Sequence, residues 1–512
     1  MKRTVRKITT LVALAVSVTA CSQGTGVEPV QTEETTIEAI PELIEEETGA
    51  SADERPEAGE RKETEAASGE ESSEETASEE EADEEETGGS VKATVAAEEG
   101  DRWLYDWQDD FDYRIILATD IHYLAEDLAD GGSAFQEMVD YGDGKVVTYI
   151  EEITEAFLDE VIEMEPDVLV LSGDLSLEGE KKSHEELAEQ LYRVEDAGIP
   201  VLVIPGNHDI NNRKAGKYRG SQRMPAEYTT PEEFREIYED FGYNEAAEQD
   251  PYSLSYVYKL NEETWFLMID SCKYRPTAKV GGAIGNETYY WIERQLEAAW
   301  DANAVVVPIA HHNLLDESQV YVDDCTIEHG DQLAELFNDW DVSFFLSGHL
   351  HVQHYKRSDD NKGIWEIVTG SLATPTCKYG VMDFCHNGDF SYHSRSVDME
   401  GWADRTWEGR KDLLEFNTFQ EPFLKNVFYN QSYMELSEID SLTEEQRVRM
   451  SDLYADLNYA YYQGTAYQVR DEILANPDYE LWTEDGTLTI LAEYVQAIIE
   501  DATKDYNFVS DY

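Results

Sequence analysis

From about Trp103 onward the chain alternates short apolar runs with amphipathic stretches. Arg114–Thr119, Asp167–Ser172, Val201–Ile204, Trp265–Ile269, Ala304–Ile309 and Val342–Leu346 are dense in aliphatic or aromatic side chains and lack period-2 polarity. Runs of this kind read as strands covered on both faces of a sheet. Between them, Tyr149–Glu163, His184–Ala197 and Thr288–Trp300 space their apolar residues as helices do. The alternation predicts an α/β sandwich with much of its sheet parallel. Gly363–Thr369 and Gly380–Phe384 add strands that close it.

Past about residue 400 the pattern changes. Ser441-Leu442-Thr443-Glu444 reads as a capping box opening a helix toward Gly464, with Leu453, Leu457 and Tyr461 on one face. A second helix is expected over Leu488–Ala502. Tyr and Trp are frequent here, which predicts a helical region over 401–512 packed on a domain spanning 101–400. No chemistry is legible in it.

The N-terminal fifth follows neither pattern. Residues 21–100 hold 27 acidic and 4 basic residues, a net charge of −23, among Ala, Ser, Thr and Gly. Such a tract buries too little apolar surface to offset its ordering entropy and is extended by its own charge, so it reads as a disordered linker. Before it, Met1–Lys7 is basic and Ile8–Ala20 is apolar but short for a spanning helix, so residues 1–20 read as an export signal. Val18-Thr19-Ala20-Cys21 resembles the bacterial lipoprotein cleavage box. That resemblance implies lipidation of Cys21, membrane attachment and an extracytoplasmic location. The other four cysteines could pair in such a place, Cys377 with Cys385 first, or stay free in the core.

The whole chain carries a formal charge of −73. Long nucleic acid is a poor partner for such a surface, because its binding rests on Lys and Arg neutralising phosphates. An anionic substrate would need a local positive source, and the strand ends offer one. After the first strand comes Asp120-Ile121-His122, after the second Gly173-Asp174, and after the third Gly206-Asn207-His208-Asp209. After the fifth comes His311-His312, and after the sixth Gly348-His349-Leu350-His351. Loops at the carboxyl ends of such strands converge on one crevice. Carboxylates, an amide oxygen and imidazoles gathered there suit Zn, Mn or Fe.

These motifs, in this order, resemble the calcineurin-like metallophosphoesterase superfamily, over roughly Tyr113–Tyr392. Leu171–Leu175 and Pro205–Asp209 also resemble its cyclic-nucleotide phosphodiesterase branch. The resemblance implies a β-sandwich flanked by helices in α/β/β/α layers, and a dinuclear centre of divalent or mixed-valence ions. One ion would take Asp120, His122, Asp174 and His351. The other would take Asp174, Asn207, His311 and His349, with Asp174 bridging. It further implies a metal-bridging hydroxide nucleophile, with His208 serving the transition state or the leaving oxygen and Asp209 orienting its ring. Of the neighbours His311 and His312, only one should ligate; the family pattern favours His311 and leaves His312 near the substrate or simply packed.

Between Asn211 and Ala226 stand Arg213, Lys214, Lys217, Arg219 and Arg223 with no acid, and Lys273, Arg275 and Lys279 form a second basic patch. Arg213, Lys214 and Arg219 are the candidate grips for an anionic substrate. The chain is therefore expected to hydrolyse a small phosphate ester with metal ions. The alternatives are an extracellular nucleotidase or nuclease of the same fold, and a non-catalytic surface binding protein.

Overall fold

Strand Thr264–Ile269 alternates its side chains between two cores. Phe266 and Met268 enter one apolar cluster, while Trp265, Leu267 and Ile269 enter another. Period-2 geometry makes this unavoidable in a strand with both faces buried. The first cluster lies between two sheets, and the second lies between one sheet and the helices Asn286–Ala302 and Gly330–Asp339.

The computed structural model describes residues 111–511 apart from 359–362, 407–408 and 484–488. The export signal, Cys21 and the acidic tract lie outside the described residues, as does Leu488 at the start of the last expected helix. Strands run in chain order β1 (Tyr113–Ala118), β2 (Val168–Ser172), β3 (Val201–Ile204), β4 (Gly216–Arg219), β5 (Gln222–Pro225), β6 (Glu248–Gln249), β7 (Tyr256–Asn261) and β8 (Thr264–Ile269). There follow β9 (Val305–Ala310), β10 (Phe344–Ser347), β11 (His354–Arg357), β12 (Trp365–Val368), β13 (Lys378–Phe384), β14 (Phe390–Ser396) and β15 (Phe508–Asp511).

One sheet has the order β15-β14-β13-β1-β2-β3 and the other β11-β12-β10-β9-β8-β7-β6. The pairs β1–β2, β2–β3, β8–β9, β9–β10 and β10–β12 are parallel, as the strand–helix alternation predicts. Helices Ile150–Met164 and Lys181–Asp196 bury Ile153, Phe157, Leu187 and Leu191 in the first cluster. The fold is a helix-flanked α/β sandwich with a helical C-terminal region.

Two expectations need correction. Cys377 and Cys385 flank the seven-residue β13 and are not bonded to each other, and Cys272, Cys325 and Cys377 are free thiols. An extended strand of that length holds its ends ~20 Å apart, far beyond disulfide reach. The capping box sits two residues later than expected. Thr443 caps helix Glu444–Tyr462, its hydroxyl accepting from Gln446 N while the Gln446 side chain accepts from Thr443 N. The helical C-terminal region is also tied into the first sheet, because β15 pairs antiparallel with β14. Its core includes Leu424, Phe428, Leu453, Tyr454, Leu457 and Trp482, and also Val352, just past the His349–His351 motif.

Candidate metal centre

The first four ligand motifs follow β1, β2, β3 and β9, and the fifth follows β10, so parallel pairing brings them to one edge of the sandwich. The chain turns sharply there. Asp120, His122, Asp174, His349 and His351 all take left-handed backbone conformations, with φ between 48° and 72°. Non-glycine residues rarely do so, and such strain persists where the surroundings over-determine it. Gly206 meets a different demand. A Cβ there would lie 2.1 Å from Asp174 N and 2.2 Å from Asp174 Oδ1, so no side chain fits.

The seven ligand candidates form two groups. In the first, Nε2 of His122 and Nε2 of His351 are 3.1 Å apart, and Asp120 Oδ1 stands 3.3 Å from His351 Nε2 and 3.8 Å from His122 Nε2. In the second, His311 Nε2 lies 3.1 Å from Asn207 Oδ1, 3.2 Å from His349 Nδ1 and 3.4 Å from Asp174 Oδ2. Asp174 Oδ2 is also 3.8 Å from His122 Nε2, so this one oxygen joins both groups. Donors each ~2.0–2.2 Å from a shared cation lie roughly 3–3.6 Å from one another, as these do apart from the two 3.8 Å separations at His122.

Other contacts fix which atoms face inward. His311 Nδ1 donates to Ser172 O at 2.9 Å, leaving Nε2 for the centre. His349 Nε2 donates to Asp324 O at 2.9 Å, leaving Nδ1. Carbonyl partners of this kind set the tautomer of a ligating imidazole. Asp120 Oδ2 accepts from Thr119 Oγ1 and His349 N, whereas Asp120 Oδ1 is buried with no hydrogen-bond partner among the described residues. A buried carboxylate oxygen without a donor is costly unless a cation takes it. The residues therefore fit a pair of metal ions.

The electrostatics agree. Burial pushes the Asp174 carboxyl up, but His311 and His208 outweigh it and hold it well below the usual carboxylate range. Burial together with His311 holds His349 down at about 4, so its ring is neutral and able to ligate.

Of the two neighbours, His311 joins the centre and His312 does not. His312 Nδ1 meets Ser271 Oγ at 2.8 Å and Nε2 donates to Val280 O at 2.7 Å, so both nitrogens are taken and the ring is buried. It packs against His349, with ring centroids 4.6 Å apart.

His208 stands beside the centre, Nε2 3.8 Å from Asp174 Oδ2, close enough to group with His122 and Asp174. Asp209 does not orient it. That carboxylate accepts from Gly206 N, Leu175 N, Ser176 N and Ser176 Oγ, and so binds the β2 and β3 loops together. The His208 ring is instead held by Leu177 O, 2.8 Å from Nδ1, and by Glu178, 3.4 Å away. Burial disfavours its charged form, yet Asp174 and Glu178 overcome this and raise it to about 9. Glu178 is one of three residues the sequence reading missed, and its only signal was its place four residues after Asp174. The others are Lys145 and Asp143, a buried ion pair at 2.8 Å whose charges act on Asp174 and His208. Nothing local marks them.

The basic loop forms the hairpin β4–β5. Arg219 is committed to main-chain carbonyls of Tyr218 and Asp127, bracing the hairpin against the 126–128 turn. Arg213 and Lys214 are exposed before it, and Lys214 lies near enough for its charge to lower Glu178.

Comparison with known proteins agrees with this geometry. Residues 113–353 match the calcineurin-like phosphoesterase family model. This part of the chain is similar to a calcineurin-like phosphoesterase domain. Residues 398–505 match the C-terminal domain of cyclic nucleotide phosphodiesterase. A probable cyclic nucleotide phosphodiesterase of Psychrobacter sp. (strain PRwf-1) is 28% identical over 222 residues, 42% of this chain and 56% of that protein. A second, from Synechococcus sp. (strain ATCC 27144), is 26% identical over 188 residues, 36% of this chain and 58% of its own. The matches thus span under two thirds of those relatives' length. Among solved structures, a dimetal phosphatase from Danio rerio aligns at 11% identity and a TM-score of 0.40, over 56% of this chain and 97% of its own. A purple acid phosphatase from yellow lupin aligns at 15% identity and 0.37, over 56% of this chain and 51% of its own.

Proposed function

We propose that this protein hydrolyses phosphate esters at a dinuclear metal centre. The observation that carries the reading is Asp174 Oδ2, shared between the His122 and His311 nitrogens at 3.8 and 3.4 Å. Asp120, His122 and His351 would hold one ion, Asn207, His311 and His349 the other, and Asp174 both. Bound there, the ions supply Lewis-acid polarisation of phosphoryl oxygens and acidification of water. Asn207 contributes a neutral oxygen, which leaves positive charge for an anionic ester.

His208 handles the proton. With Nδ1–H held by Leu177 O, its Nε2 faces the centre and can carry a proton to the departing alcohol oxygen. Glu178 stabilises the charged ring between turnovers. Exposed Lys214 adds weak attraction for an anion in a chain otherwise strongly acidic.

Within this class, the likeness of residues 398–505 to a cyclic nucleotide phosphodiesterase domain supports a cyclic phosphodiester as one substrate. The complete ligand set speaks against a binding protein that has lost catalysis. Cys21 at the end of the apolar leader supports lipid attachment outside the cytoplasm. The test is turnover of bis-p-nitrophenyl phosphate, p-nitrophenyl phosphate and a 3′,5′-cyclic nucleotide with added Mn. Hydrolysis abolished by a chelator is the expected result; no turnover of any of the three overturns the reading.

A further inference from the structure

A small cavity of about 80 Å³ opens beside Leu177 and Glu178. Met138, Val139, Leu177 and Tyr218 give it apolar walls, and Lys145 and Glu178 line it on the side of the centre. It adjoins the proton-handling machinery directly, because Leu177 and Glu178 are the two residues that hold His208 Nδ1. Lys145 lies near enough to the centre for its charge to act on His122, Asp174 and His208, so the cavity borders the centre on that side.

Lys145 is the unusual group here. Its side chain is 5% exposed, yet among the described residues its one ion-pair partner is Asp143, and no other hydrogen bond of Nζ is made. An ammonium has three donors and is seldom buried with most of them unused. The loop that carries it is clamped from two sides. Val146 N donates to Ala373 O at 2.7 Å, and Gln431 Nε2, from the C-terminal helix Phe416–Ser437, donates to Gly142 O at 3.0 Å. Leu424 of the same helix fills the space a Cβ on Gly144 would need, at 2.5 Å. The C-terminal region thereby fixes the floor of the cavity.

Charge narrows what fits. Asp143 neutralises Lys145, and the Glu178 carboxylate is turned to His208. No spare cation lines the cavity; Lys214 stands outside it, exposed and screened. A leaving group bearing its own negative charge would find Lys145 and His208 already paired with carboxylates, while a neutral one would meet apolar walls and the unused Lys145 N–H donors.

We propose that this cavity is the leaving-group subsite and selects esters of compact, neutral, largely apolar alcohols, a single-ring aryl alcohol among them, with Lys145 donating hydrogen bonds to that group. The proposal rests on the phosphoesterase reading but can be tested apart from it, by binding. The probes are phenylphosphonate, methylphosphonate and 4-carboxyphenylphosphonate, titrated calorimetrically into the metal-loaded full chain. Phenylphosphonate should bind about tenfold more tightly than either of the others, a preference of the size a small apolar pocket gives. Met138→Trp fills the cavity from its wall and should erase the phenyl-over-methyl preference. Asp143→Asn leaves Lys145 uncompensated and should narrow the gap against the carboxylated probe. Equal binding of phenyl and methyl probes by the wild type, or a preference surviving in Met138→Trp, overturns the proposal. If phenylphosphonate is preferred but phenyl phosphate is never hydrolysed, the cavity stands as a binding subsite for the ester's apolar group and the phosphoesterase reading falls.

Discussion

The Nε2 atoms of His122 and His351 lie 3.1 Å apart although 229 residues separate them along the chain. Two imidazole nitrogens face one another at that distance when a proton or a cation lies between them. With Asp120 Oδ1 and Asp174 Oδ2 at their side, a cation is the better occupant. Metal should therefore stabilise the fold by mass action, ~2.7 kcal/mol at a hundredfold excess over its Kd. A thermal melt with and without chelator checks this; coincident curves would contradict it.

Asp174→Asn removes the charge that joins the two groups. The variant should lose at least one equivalent of metal and turnover by several orders of magnitude, since a neutral amide screens neither cation. Elemental analysis beside a rate assay reads both, and a fully metallated, active variant would refute the bridging role.

His311→Ala and His312→Ala should part company. The first deletes a donor with contacts to Asn207, His349 and Asp174 and should cost metal. The second removes a ring whose two nitrogens are bound to Ser271 and Val280, so metal should remain while stability falls by ~1–3 kcal/mol. Equal metal loss in both would reverse the assignment.

Far from the centre, His354 is buried between Glu317 and Asp501, its Nε2 3.0 Å from Asp501 Oδ2. Burial disfavours its charge, but the two carboxylates prevail and raise it to about 9. A raised histidine gives stability that is fully present below its unfolded value near 6.5 and is lost as pH rises through about 9. His354→Gln should accordingly be less stable than wild type at pH 6, on the order of 1–3 kcal/mol, with the gap shrinking by pH 9.5. Chemical denaturation at the two pH values measures it; a gap independent of pH would show the ring to be neutral.

Gly144→Ala should destabilise by ~1–3 kcal/mol, because the position has φ +89° and its Cβ would meet Leu424 Cδ1. Leu424→Ala in the same chain should recover only the steric part of the combined loss. Strict additivity of the two losses would mean that they do not touch.

The sequence by itself determined eight of the fifteen strands among the described residues, the largely parallel pairing of the central ones and the seven ligand candidates, because each is a local signal. Apolar runs mark covered strands, and metal chemistry admits few residue types, all placed at strand ends. The capping box was legible to within two residues, Thr443 and not Ser441 being the residue whose hydroxyl reaches a free amide. What only the tertiary structure decided depends on chain segments that meet. Asp209 could not be told from Glu178 as the partner of His208, since both lie near motif residues and only packing turns one to the ring and the other to backbone amides. His312 sits one residue from a ligand, and its exclusion follows from contacts with Ser271 and Val280 on other loops. Lys145 and Asp143 are ordinary in sequence. They become a buried pair beside the metal centre because a helix nearly 300 residues later, through Gln431 and Leu424, closes over their loop.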